Sequence, residues 1–280
     1  MMVLQSAICK MLARKALKGR WQTAMLVLFT AMLPSMAAQV YQAIKGPDIY
    51  AAAIVMAQQG RLPQEIFTPS YWLIILLPLI ASLLAVGLNL GALRYFIDIL
   101  KGREASYKTV FSRLGAFLKG IWLDILISVI FMLCVAAIVG PFLLLAFNVP
   151  SFATSSFARF LATVVPIVSL GFALIVYLNF ALASHAIAED NSLSAFSALK
   201  KSRAWMKGHK GHLFFVYLSF FGWLFLQSAL SYLLQNLFGA VIGMALGLFA
   251  GLAVSVYMTA AIAAFYVICS GGTITQIPSE

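Results

Sequence analysis

Charge is what this 280-residue sequence has least of: Asp, Glu, Lys and Arg make up 10% of it, against 63% hydrophobic residues. Soluble domains carry about 25% charged residues, and the polar side chains here are too few to coat a core in water. That excludes a soluble globular domain, and the apolar excess excludes a disordered chain. Cysteine is also scarce. Cys9, Cys134 and Cys269 stand far apart, odd in number and without a CxxC pair, which excludes a disulfide framework and a thiolate zinc site. Missing too are HExxH, GxSxG, Walker and GxGxxG patterns, whose residues hold a zinc-bound water, a nucleophile or a phosphate chain. The polar segments between apolar runs are too short to fold a nucleotide-binding domain. We therefore expect no enzyme, no catalytic or cofactor-binding residue, no cofactor and no metal. His209 and His212 form an HxxH with His185 elsewhere, but no carboxylate completes a ligand set and the adjacent lysines repel a cation.

What is abundant is long apolar runs. A bilayer crossing needs about 20 residues, and runs of that kind fall at about 21–40, 71–97, 120–147, 159–187, 212–235 and 238–269. All but Lys45, Arg61 and Arg159 of the 19 basic residues lie before the first run, between the second and third, or between the fourth and fifth. The excess of Lys and Arg in cytoplasmic loops places those segments and both termini in the cytoplasm. Topology thus accounts for the net charge of +11, and nucleic acid is not an expected partner. Pro34-Ser-Met-Ala-Ala38 resembles a signal-peptide cleavage site, but the basic region before it is long for one, so a retained first span is expected. Pro34, Pro78, Pro141 and Pro166 fall in or near spans, where neighbouring helices re-satisfy the carbonyls a proline frees.

Three basic segments share a pattern. Ala13-Arg14 leads to Lys18-Gly19-Arg20-Trp21, Ser112-Arg113 to Lys119-Gly120-Ile121-Trp122, and Ser202-Arg203 to Lys207-Gly208-His209-Lys210. Apolar residues recur upstream at helical spacing, so each segment predicts an amphipathic helix lying at the membrane interface. The glycine then turns the chain into a span. Arg14, Lys18, Arg113, Lys119, Lys200, Lys201, Arg203, Lys207 and Lys210 are the expected contacts to anionic phospholipid headgroups. The chain reads as one all-α integral-membrane domain over 1–280. Its three repeat units, at about 1–97, 98–187 and 188–270, each consist of an interfacial helix and a transmembrane hairpin.

Few polar residues fall inside the spans. Asp124 predicts a salt bridge with Lys119 or a neighbouring base, and Arg94 and Asp98 stand four apart on one helix face. Asn89 and Asn179 occupy equivalent places in two units. Each needs a buried hydrogen-bond partner, and they can reach one another across the bundle. Gly239, Gly243, Gly247 and Gly251 make one face of the last span smooth; such a stripe serves either a homo-oligomer seam or close packing within the bundle, the second being expected. Between the first two spans, Lys45-Gly46-Pro47-Asp48 predicts a turn and Ile49–Met56 a short surface helix.

The stretch Lys201-Ser202-Arg203, Met206-Lys207-Gly208-His209-Lys210 and Leu218-Ser219-Phe220-Phe221-Gly222-Trp223 resembles the signature of a bacterial membrane family, domain-of-unknown-function family 975. Ala16-Leu17-Lys18-Gly19 and Ala264-Phe265-Tyr266 resemble its ends; Gly211-His212 departs from the large residue usual in the family. The resemblance implies a multi-pass protein of the bacterial cytoplasmic membrane and supplies no activity. With no catalytic motif present, we expect a scaffold, assembly or regulatory component that meets a membrane partner or a second copy of itself. The alternative is a small-molecule or lipid permease with a pathway between the repeat units.

Overall fold

The computed structural model describes residues 2–59, 69–149, 152 and 155–272, and all of its regular structure is helical. Helix α1 (Met2–Leu17) is followed by α2 (Trp21–Gln59) and α3 (Pro69–Leu100). A 3-10 segment (Tyr107–Ala116) runs directly into α4 (Phe117–Asn148). Then come α5 (Ser156–Phe180), the short α6 (Ala183–Glu189), α7 (Ala195–Trp205), α8 (Lys210–Phe238) and α9 (Ala240–Cys269). Among the described residues six helical stretches are long and apolar enough to cross a membrane, the make-up of a multi-pass membrane protein. They coincide with the six apolar runs.

Three local expectations are corrected. The predicted turn at Lys45-Gly46-Pro47-Asp48 is helical, because α2 runs on through Ile49–Met56 instead of stopping and restarting. The segment before α4 is a 3-10 helix in place of an α-helix, its tighter winding letting it lie against α3. Of the three glycines expected to turn the chain, Gly19 and Gly208 do so with φ of +76° and +85°, values only glycine adopts cheaply. Gly120 instead sits inside α4, where a side chain would collide with Val86 and Leu90 of α3; its role is close packing. Arg61 and Pro63 lie outside the described residues.

Consecutive long helices pack in pairs, α2 on α3, α4 on α5 and α8 on α9. The core is gathered at one end of this assembly. Tyr95, Phe96, Ile97, Ile99 and Leu100 close α3, while Ala260–Val267 close α9, and all are buried. Helix α9 reaches α1, α2, α3 and α8, and half of its most apolar 18-residue stretch is buried (50%). None of the corresponding stretch of α4 is. Helix α4 touches α3 along a narrow strip, with Gly120 and Leu123 its buried residues.

The glycine stripe resolves into two functions. Gly239 is not on a packing face; it is the turn between α8 and α9, with φ +82° and ψ 165°. Gly243, Gly247 and Gly251 are buried against α8, where a Cβ would meet the backbone at Gln235, the side chain of Ser231 and the amide of Gln227 respectively. The stripe therefore lies against the chain's own preceding helix, where close backbone approach gains dispersion contacts.

Candidate functional site

The polar residues at the packed end form a knot centred on Glu189, the last residue of α6. Its carboxylate pairs with Lys101 and accepts a hydrogen bond from the Tyr266 hydroxyl at 2.9 Å. Its carbonyl accepts from Arg94 and, at 2.9 Å, from Arg113. Arg113 also donates to the Ala188 carbonyl at 3.0 Å, so the two arginines satisfy carbonyls that the end of α6 leaves free. Arg94 pairs with Asp98 at 2.8 Å, the i,i+4 contact read from the sequence, and Arg103 reaches the other oxygen of Asp98 at 3.4 Å. The His185 ring stacks on Tyr266, which Trp205 meets edge-on. Ser202 of α7 accepts from the Leu182 amide and donates to the Asn179 carbonyl, stapling the α5–α6 turn. Just beyond α6, the exposed Asp190 accepts from the hydroxyl and the amide of Ser192, which hold its carboxyl below the usual range.

Two of the expected headgroup residues belong to this structural work. Arg113 is spent on Ala188 and Glu189, and Lys119 donates to the Asn191 carbonyl. The side chains of Arg14, Lys18, Lys200, Lys201, Arg203, Lys207 and Lys210 make no hydrogen bond or ion pair among the described residues, and all except the half-buried Lys210 are exposed.

The buried polar candidates are corrected. Asn89 and Asp124 are exposed at the α3–α4 junction and line a cleft of about 220 Å³ with Ser184. They stay open because α4 touches α3 over so narrow a strip. Asp124 pairs with nothing among the described residues, its expected partner Lys119 being turned to Asn191. Asn179 is half-buried and donates to the Ile175 carbonyl of its own helix at 2.9 Å; it does not reach Asn89. It lines a separate cleft of about 540 Å³ with Arg203, Lys207 and Lys210.

A third cleft, of about 330 Å³, lies between α1, α8 and α9, with Lys10, Arg14, Trp21 and Trp223 among its walls. The Lys10 ammonium sits 5.0 Å from the centre of the Phe220 ring and 3.4 Å from the Ser219 carbonyl. Burial, and then the Arg14 cation, hold Lys10 below the ordinary lysine range. His209 and His212 lie side by side, 5.8 Å between ring centres, and His209 meets the Trp205 carbonyl. Among the described residues no three His, Cys, Asp or Glu side chains gather as a metal would require.

Cys9 of α1 is buried, and burial, with a smaller contribution from Cys269, pushes its thiol up to about 12. A raised pKa withholds the nucleophilic thiolate, so at pH 8 alkylation of Cys9 is expected to run about 1000-fold slower than that of a free thiol near 8.5. The rate should climb as pH approaches 12. Mass analysis of peptides from the alkylated folded protein checks this; equal labelling of Cys9 and Cys134 would refute it.

The six apolar helices and the residues of the glutamate knot are spread over almost the whole chain. No curated protein and no solved structure matches the chain. A family model described as "Protein of unknown function (DUF975)" matches residues 2–271, and the chain belongs to that family.

Proposed function

We propose that the chain is a non-enzymatic scaffold, assembly or regulatory component of a bacterial cytoplasmic membrane, with both termini in the cytoplasm. The observation that carries this reading is the uneven packing. One end is tied down by the Glu189 knot and the buried half of α9, whereas the most apolar stretch of α4 has no buried residue. Leu133 and Leu144 of α4 are 61% and 66% exposed, a surface that lipid or a second membrane protein covers. The positive-inside distribution of Lys and Arg supports the orientation. The pairing of α2 with α3, α4 with α5 and α8 with α9, each pair led by a basic segment, supports three repeat units. The free cations on α1 and α7 support amphipathic helices resting on anionic phospholipid.

Purification in mild detergent after crosslinking through cysteines placed at Leu133 and Leu144 is expected to recover a membrane protein, or a second copy, at fixed stoichiometry. Repeated isolation as a bare monomer overturns the reading. A permease is favoured by one observation, the unpaired Asp124 in a cleft with Asn89 and Ser184, since ionisable groups within spans mark substrate or ion paths. Asn179 opens into a different cleft, so the two amides do not line one path. Loss of cellular function in Asp124→Asn with partner recovery intact would support the permease over the scaffold.

A further inference from the structure

We infer that the cleft beneath the α7–α8 turn is a discrete binding site for one anionic glycerophospholipid with a hydroxyl-bearing headgroup. Its phosphate is held by Arg203, Lys207 and Lys210. The inference rests on the membrane reading above and turns its diffuse lipid contact into a single site.

The first ground is uncompensated charge. Arg94, Lys101, Arg103, Arg113 and Lys119 are all engaged with protein acceptors. Arg203, Lys207 and Lys210 have none among the described residues, and no acidic residue lines their cleft. Three cations facing one cavity repel one another, and an anion between them relieves that repulsion. The turn is built to bring them together: Gly208, at φ +85°, folds the chain back between Lys207 and Lys210.

The second ground is the wall. Ile130 and Cys134 of α4 and Val176 and Phe180 of α5 form the rest of the cleft. A free inorganic anion gains nothing from such a surface, whereas an acyl chain gains contact along it. The third is Asn179. One N–H of its amide is given to the Ile175 carbonyl, which leaves the second N–H as a donor and the amide oxygen as an acceptor. The oxygen suits a headgroup hydroxyl and the remaining N–H a phosphate oxygen, a pair that a hydroxyl-bearing phospholipid headgroup supplies together. At about 540 Å³ the cleft falls within the roughly 300–1,000 Å³ typical of small-ligand sites.

Cys134 reports on occupancy directly. In the full-length Cys269→Ser protein, with Cys9 shielded, N-ethylmaleimide labelling of Cys134 is followed in phosphatidylcholine vesicles with increasing phosphatidylglycerol. Phosphatidylglycerol is expected to slow labelling saturably. In R203Q/K207Q/K210Q the half-protecting fraction should rise about 100-fold, each cation near the surface contributing roughly fivefold. The single Lys207→Gln, at an exposed side chain with no protein partner among the described residues, should give about fivefold on the same basis. K15Q/R20Q/K108Q removes equal charge from exposed positions that line no cleft and are not among the headgroup contacts, and should leave protection unchanged. Equal loss in both triple variants, equal protection by pure phosphatidylcholine, or the same protection by millimolar inorganic phosphate each overturns the site. A chain that co-purifies with anionic lipid yet leaves Cys134 unprotected overturns the cleft alone. One that co-purifies with no anionic lipid overturns the wider lipid reading as well.

Discussion

Gly91→Ala is expected to destabilise the protein by about 3 kcal/mol, the upper part of the range for overpacking a close contact. A Cβ on Gly91 would strike the carbonyl oxygen of Val110 and stand 2.9 Å from its Cα. Both are backbone atoms that no rotamer change can move. Four residues earlier, a Cβ on Gly87 would meet Leu114 and Phe117 at 3.3 Å, so α3 carries the 3-10 segment along two successive turns. Pushing that segment away also pulls Arg113 from the carbonyls of Ala188 and Glu189, and the damage spreads into the knot. Thermal unfolding in detergent micelles measures the loss. Gly222→Ala is the matched control, because a Cβ there meets nothing; it should be neutral or stabilising by up to about 1 kcal/mol, alanine being the better helix former. Indistinguishable unfolding of the two variants would show that α3 and the 3-10 segment are not in contact as described.

Removing the Glu189 carboxylate is the second large effect. The Lys101 and Glu189 side chains are only 12% and 21% exposed, and Glu189→Ala strands the ammonium of one residue and the hydroxyl of Tyr266 together. Breaking a buried pair by deleting one partner costs about 3–5 kcal/mol; partial exposure puts the expectation near 3 kcal/mol, at the lower end of that range. Glu189→Gln keeps an acceptor for Tyr266 and should cost about half as much, a neutral hydrogen bond being weaker than a charge-assisted one. Combining Glu189→Ala with Lys101→Met should restore part of the stability, since the stranded charge is gone. Strict additivity in this double-mutant cycle would refute the pairing.

The spans were legible because a bilayer demands continuous apolar length, a property each run carries by itself; the Arg94–Asp98 pair was legible because helical spacing is local. The knot was not. Glu189 meets Lys101 and Tyr266 across 88 and 77 residues of chain, and nothing in the neighbourhood of either partner marks the other. Tyr266 was visible as part of the closing Ala264-Phe265-Tyr266, but its hydroxyl as a donor to Glu189 was not. Asn89 and Asp124 misled for a related reason. Their depth in a span was readable, but whether a helix side faces protein depends on how widely α4 touches its neighbours. Apolarity cannot answer that when lipid and core ask for the same side chains. Gly120 and Gly239 show the same limit: a glycine that turns the chain and one that admits a neighbouring helix are spelled identically.

The arrangement of α9 has a consequence for the order in which the molecule is made. The helices it packs on, α1, α2, α3 and α8, all leave the ribosome before it, and Tyr266 is the last-made member of the knot. Until then Glu189 lacks its hydroxyl donor, and the inner faces of the first three helices have nothing of their final mate to close on. Insertion into the bilayer can proceed span by span, but tertiary closure waits for the final hairpin. A nascent chain halted before α9 is therefore inserted yet open, with the inner ends of its helices uncovered for whatever surveys the membrane for unfinished proteins.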